Sequence, residues 1–105
     1  MPLETWEYDG DRYCLLSTYV KSDEAWYFEL SEARPAPNAW RNDPQRGDVL
    51  PGLTAVTVVA HDPDVEKPPY VFFGGDQEFP FEVLSHFITQ VTKLLKEGTR
   101  PSGLG

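Results

Sequence analysis

Hydrophobic and polar positions alternate in the first third of the chain in a way that predicts two β-strands. Residues 12–20 (RYCLLSTYV) are rich in aromatic and aliphatic side chains, and the DGD sequence just before them is typical of a turn. Residues 25–30 (AWYFEL) place large apolar side chains at every second position, which is the period of a half-buried strand. The short polar segment between the two runs predicts a hairpin.

A second hairpin is predicted further along the chain. Residues 53–61 (LTAVTVVAH) form a β-branched run, and residues 70–73 (YVFF) form a shorter one, with proline-containing turns between them. The two hairpins are separated by residues 33–52, which hold four prolines and two glycines. Because proline cannot donate to a sheet ladder, we expect this segment to be one long proline-rich loop.

The segment after Pro80 has the pattern of an amphipathic helix. Pro80 suits the first helical position, and Gly98 suits the C-terminal cap. Apolar residues recur at spacings of three and four and predict a single buried stripe of Leu84, Phe87, Ile88, Val91, Leu94 and Leu95. The expected fold is therefore α+β, with an antiparallel sheet of about four strands packed against one C-terminal amphipathic helix. Residues 1–105 are expected to form one domain.

The distribution of charge narrows the classes of partner. The chain of 105 residues has a formal net charge of −8, and residues 1–66 account for all of it with 13 acidic and 5 basic residues. A chain with this balance is not expected to bind nucleic acid directly, because phosphate backbones are bound by basic patches. An acidic surface fits a basic protein partner, although it also serves solubility.

The residues that could carry catalysis do not form a known motif. His61 precedes Asp62, which could orient an imidazole, but no serine or cysteine is linked to it by a nucleophile motif. Cys14 lies in an apolar strand, where a free cysteine usually packs as a small hydrophobe. The alternative is a Cys14–His61 dyad formed by the fold. His86 falls on the polar side of the helix and is expected to be solvated. We therefore predict that the protein is not an enzyme.

No metal or cofactor site is predicted. Asp62, Asp64 and Glu66 alternate as in a calcium loop, but the glycine and the terminal bidentate glutamate of an EF-hand are missing. A turn with solvated carboxylates is the expected arrangement. The Gly-Gly pair at 74–75 lacks the lysine of a phosphate-binding loop and is expected to permit a bend into the helix.

The sequence favours a binding surface over a catalytic site. An aromatic anchor rimmed by charged residues is the usual anatomy of a protein-binding hot spot, and a tryptophan lies among the acidic loops. The predicted partner-binding residues are Asp9, Asp11, Asp23, Glu24, Trp40, Asp43 and Asp48. In the alternative interpretation, Trp40 packs onto the end of the core.

Residues 70–103 (YVFFGGDQEFPFEVLSHFITQVTKLLKEGTRPSG) contain a series of short motifs: an aromatic strand, a Gly-Gly turn, a Phe-Pro pair, an amphipathic helix and a Gly-x-Arg-Pro tail. In this order they resemble the C-terminal part of a family of small bacterial immunity proteins common in actinomycetes. The segment between Phe-Pro and the helix is shorter here, and a tryptophan usual after the tail is absent. The resemblance implies a protein that binds and neutralises a co-encoded toxin, often an enzyme that modifies nucleic acids.

Residues 56–98 also resemble small acidic proteins of the BldB type, which are encoded beside helix-turn-helix regulators in actinomycetes. The shared order is a strand, an Asp-Pro-Asp turn, a second strand and a final helix ending in glycine. The expected function is a non-catalytic acidic protein-binding domain, favoured as an immunity protein or antitoxin that binds a basic, toxin-like protein. The alternative is a partner of a helix-turn-helix regulator, or a homo-oligomeric regulatory protein, and a homodimer is compatible with either.

The sequence also leads to an expectation about location. No N-terminal pattern of a secretory signal is present, and no apolar run approaches the length of a membrane span. We therefore expect a cytoplasmic protein that does not bind membranes.

Overall fold

The computed structural model describes residues 3–35 and 49–97, which form one antiparallel sheet and one α-helix. The strands follow one another across the sheet in chain order. Their bounds are β1 Leu3–Tyr8, β2 Asp11–Val20, β3 Ala25–Pro35, β4 Val49–His61 and β5 Tyr70–Phe73, and the helix α1 is Phe81–Lys96. Short 3₁₀ turns at Lys21–Asp23 and Pro63–Val65 join β2 to β3 and β4 to β5. The predicted α+β class and both predicted hairpins are confirmed, with five strands rather than about four.

The additional strand is β1, which pairs antiparallel with β2 so that Trp6 lies opposite Tyr13. A two-residue turn joins the strands, and both of its residues have positive φ, 51° at Asp9 and 87° at Gly10. Turns with positive φ at both central residues match the twist of a hairpin, and Asp-Gly is a preferred sequence for them. The turn predicted at Asp9-Gly10-Asp11 is therefore confirmed. It connects β2 to β1, which forms an edge of the sheet.

The predicted loop 33–52 is wrong at both ends, because β3 continues to Pro35 and β4 begins at Val49. Ala33 pairs with Pro51, and Pro35 pairs with Val49. Pairing of β2 with β3 ends at Glu32, and β5 covers only Val56–Val59 of β4. Pro35 and Pro51 thus lie where one flank of the ladder is open, and a proline whose nitrogen faces an open flank costs no inter-strand bond. Residues 36–48 lie outside the described residues.

Helix α1 packs on one face of the sheet and closes the core. Its buried residues are Val83, Phe87 and Val91, a row with a spacing of four. They pack on sheet residues that include Tyr13, Leu15, Phe28, Leu30, Val56 and Val58. The predicted stripe was wrong at its edge, since Val83 is fully buried whereas Ile88 is 38% exposed. Leu84, Leu94 and Leu95 are partly buried beside the row, as expected.

The connection from β5 into α1 uses the Gly-Gly pair as predicted. Gly75 has a φ of +67°, and a Cβ at Gly74 would lie 3.0 Å from the carbonyl oxygen of Thr54. Pro80 is the N-cap rather than the first helical residue. The predicted cap at Gly98 lies outside the described residues. Within residues 3–35 and 49–97, no helix has both the length and the hydropathy that a membrane span requires.

Candidate functional site

The predicted partner-binding residues that the structure describes fall at two opposite ends of the sheet. Asp9 and Asp11 lie at the β1–β2 turn, whereas Asp23 and Glu24 lie at the β2–β3 turn. Strand β2 has ten residues, so the two turns are separated by about 30 Å. These four carboxylates therefore do not form one patch. Trp40, Asp43 and Asp48 lie outside the described residues.

The end of the sheet that carries Asp9 and Asp11 offers few features of a binding site. The hydroxyl of Tyr8 donates to Oε2 of Glu82 over 3.3 Å, and the charge of Glu82 is the main cause of the raised pKa of that phenol. An open depression of about 230 Å³ lies beside the turn and is lined by Arg12 and Pro35 among others. No aromatic side chain of the described residues lines it.

The opposite end of the sheet combines acidic and aromatic side chains around a larger open depression of about 430 Å³. Asp23, Glu24, Tyr27 and Tyr70 line it together with His61 and Lys67. We call these first four residues the tyrosine–acid surface. The hydroxyl of Tyr27 donates to Oδ2 of Asp23 over 2.6 Å. That hydrogen bond, followed by burial and by the charge of Asp23, raises the pKa of Tyr27 to about 12.

The strand register explains why two tyrosines meet at this surface. Tyr27 lies opposite Val59, which in turn lies opposite Tyr70, so the three residues form a row across β3, β4 and β5. Side chains alternate between faces along a strand, and Phe28 packs beneath α1. The row therefore lies on the face away from the helix. The ring of Tyr70 also lies near two further aromatic rings, with centroid distances of 5.9 Å to His61 and 6.2 Å to Phe72.

Strand β5 forms an exposed apolar edge of the sheet. Its four residues, Tyr70, Val71, Phe72 and Phe73, are 46–66% exposed, and no described strand pairs with its outer side. The N–H of Gly74 donates to the carbonyl of Ala55, so alternation directs the main-chain groups of Val71 and Phe73 away from β4. The strand contains neither charge nor proline, which proteins commonly use to block edges. Within residues 3–35 and 49–97, this edge is therefore open to pairing with another strand.

The structure separates the two residues of the hypothetical catalytic dyad. Cys14 lies opposite Ser31, and His61 lies opposite Ala25, so six residues of β3 separate them, about 20 Å. Cys14 is fully buried as predicted, and burial is the main cause of the raised pKa of its thiol. His86 is exposed as expected, and its ring lies 4.5 Å from that of Trp6. A Cys14–His61 dyad is thus excluded.

The turn after β4 differs from the expected set of solvated carboxylates. Asp62 is buried, and its Oδ2 accepts a hydrogen bond of 2.6 Å from the hydroxyl of Tyr19. This bond, then burial, then the charges of Asp62, Glu24 and Asp64 raise the pKa of the Tyr19 phenol to about 12. Asp64 and Glu66 are exposed, as expected.

The aromatic part of the tyrosine–acid surface was missed in the sequence, where Tyr27 and Tyr70 were placed only as strand residues. A signal for it was present: Tyr70–Phe73 is a short uncharged strand between prolines and glycines, and it is the last strand before the helix. The last strand of a sequential meander lies at a sheet edge. No protein-family model, curated protein or solved structure matches the chain.

Proposed function

We propose that the protein is a non-catalytic binding domain that holds a protein partner at the tyrosine–acid surface and along the adjoining edge of β5. The observation that carries this proposal is the group of exposed aromatic side chains on β5 that, with the half-buried Tyr27, lies near Asp23 and Glu24. Exposed contiguous apolar patches mark interaction sites in soluble proteins. Aromatic anchors with a charged rim are the residues that dominate binding energy in such sites.

Charge favours a basic protein as the partner. The tyrosine–acid surface presents two carboxylates, and the chain as a whole has a net charge of −8. Opposite charge accelerates encounter and excludes acidic competitors, including nucleic acids. We propose that this partner is a toxin that the protein neutralises. The resemblance of residues 70–103 to immunity proteins supports this, since Tyr70–Phe73 is part of both the resemblance and the exposed edge.

Capture from the native cell extract, followed by reconstitution, tests the proposal. Tagged protein is expected to retain one stoichiometric basic protein at low salt and to lose it at high salt. The retained protein is then purified and assayed with increasing amounts of this chain. Neutralisation at one equivalent is the expected result. A retained protein whose activity is unaffected, or the absence of any stoichiometric partner, would contradict the immunity proposal.

A second candidate function is favoured by the open edge of β5. Two copies of the chain could pair their β5 strands antiparallel around Phe72, which brings Val71 of one copy opposite Phe73 of the other. These are the residues whose main-chain groups point away from β4. Such pairing is self-complementary and gives a two-fold dimer. It would suit the alternative of a homo-oligomeric regulatory protein, or of a partner for a helix-turn-helix regulator.

The variant Val71→Pro discriminates between the two candidates. The N–H of Val71 points away from β4, so its removal costs no bond inside the sheet but blocks strand addition. Light scattering over a range of protein concentrations should show a wild-type dimer that Val71→Pro abolishes if the second candidate is correct. A wild-type chain that stays monomeric at all concentrations would eliminate self-pairing and leave the toxin partner.

A further inference from the structure

Three carboxylates from two turns converge next to the tyrosine–acid surface. Glu24 follows the 3₁₀ turn after β2, and Asp62 and Asp64 belong to the turn after β4. Each contributes one carboxylate oxygen, and the three oxygens lie within 4.8 Å of one another. The backbone N–H of Asp62 donates to the carbonyl of Glu24 over 2.8 Å. The two turns are therefore held together independently of their side chains.

The buried member of this group has an unsatisfied oxygen. Asp62 is only 7% exposed. Its Oδ2 is occupied by the hydroxyl of Tyr19, whereas its Oδ1 is buried and has no hydrogen-bond partner among the described residues. A buried charged oxygen without a partner costs free energy, and two further carboxylates nearby add repulsion. A cation bound among the three carboxylates would offset both costs.

We propose that Glu24, Asp62 and Asp64 bind a divalent cation of the calcium type. Calcium–oxygen distances of 2.3–2.6 Å allow two ligand oxygens to lie up to about 5 Å apart, which includes the spacing of this group. Magnesium, at 2.0–2.1 Å, demands near-ideal octahedral geometry and usually keeps several waters, so a group of carboxylates from two turns suits calcium better. The ligands come from two separate turns, so the site differs from an EF-hand loop, in which one continuous segment supplies them.

The cation would have a structural role that does not depend on the identity of the protein partner. It would offset the charge of the buried Asp62 carboxylate and join the β2–β3 turn to the β4–β5 turn. Asp23 directly precedes Glu24, so the same cation would fix the acidic side of the tyrosine–acid surface.

Terbium luminescence gives a direct test, because Tb³⁺ occupies calcium sites and emits when a nearby aromatic ring transfers energy to it. Tyr19 is hydrogen-bonded to Asp62, and the rings of Tyr19 and Trp26 lie 5.5 Å apart, so energy donors are in place. The full chain is titrated with Tb³⁺, and the bound Tb³⁺ is then displaced with Ca²⁺. The test variants are Glu24→Gln and Asp64→Asn, both at exposed positions. The control is Asp9→Asn at the opposite end of the sheet.

We expect saturable emission with one-to-one stoichiometry, displaced by Ca²⁺, and an affinity that falls about tenfold or more in each test variant but not in the control. The melting temperature of the wild type should also rise with Ca²⁺ more than that of Asp64→Asn, since a ligand bound only to the folded state stabilises it. Equal affinity in wild type and test variants would overturn the proposal and indicate adventitious ion binding on an acidic surface. Absence of binding at millimolar Ca²⁺ would overturn it as well.

Discussion

The apolar side chains beneath α1 and those on β5 have the same chemistry and opposite exposure. Phe87 is fully buried in the core, whereas Phe73 is 66% exposed on the edge strand. The core residues lose their water on folding and so contribute to stability, at about 1.5–3 kcal/mol for each large side chain. The residues of β5 retain much of their exposed surface after folding. That surface can still be removed from water by a partner, so the core serves stability, whereas we propose that β5 serves binding.

The largest expected effect is on stability. Phe87→Ala should lower the free energy of unfolding by about 3–5 kcal/mol, because it leaves a cavity in a fully packed site. The matched variant Phe73→Ala should lower it by less than about 1 kcal/mol, since that side chain is mostly exposed. Urea denaturation of both variants measures the difference. Equal destabilisation would show that Phe73 contributes to the core as much as Phe87 does, and would contradict the distinction between the core and β5.

The next largest effect is on partner affinity. Tyr70→Ala should weaken binding of the purified partner by about 2 kcal/mol, which is about 30-fold, if this ring is a central anchor. The free energy of unfolding of the Tyr70→Ala variant should stay close to that of the wild type. Calorimetric titration of the two proteins gives the affinity. A Tyr70→Ala variant with full affinity would remove β5 and the tyrosine–acid surface from the interface.

A smaller effect concerns the rate of association. Asp23→Asn should slow association with a basic partner by about two- to fivefold at low salt and should have little effect at high salt. Asp9→Asn, at the other end of the sheet, is the control. Stopped-flow measurements over a series of salt concentrations give both rates. If the control slows association as much as the test variant, the charge acts through the whole molecule and not through this surface.

The smallest effect is a shift in the titration of one phenol. The hydrogen bond to Asp23 raises the pKa of Tyr27 from its ordinary value of 10.0 to about 12. The raised pKa means that the bond stabilises the fold fully below pH 10 and loses its contribution as the pH rises towards 12. Asp23→Asn should return the pKa of Tyr27 towards 10. Ultraviolet titration of wild type and variant measures it, and an unshifted phenol would show that the bond is absent in solution.

Local sequence patterns were sufficient to predict the hairpins, the α+β class and the position of the helix. These patterns failed where pairing with neighbouring strands determines whether a segment is itself a strand. Proline in 33–52 argued against strands, yet Pro51 lies in β4 because the ladder has an open flank there. Strand β1 was missed although Asp9-Gly10 is a strong hairpin signal, because its apolar residues are separated by glutamates and a threonine.

The site could be predicted only in part for a similar reason. Asp23 and Glu24 were identified from their place in a turn, but turns alone do not indicate which strands lie next to each other. Tyr27 and Tyr70 are 43 residues apart in the chain and meet only through the register of β3, β4 and β5. Asp62 was expected to be solvated because it lies in a turn that lacks the features of a calcium loop, whereas the structure buries it and places it in a hydrogen bond with Tyr19.

The most direct test of the binding surface is amide hydrogen exchange of the chain, measured alone and in complex with the captured partner. We expect added protection to be concentrated in β5 and in the turn from Lys21 to Glu24. Protection confined to the Tyr8–Asp11 turn or to α1, with β5 exchanging as in the free chain, would contradict it.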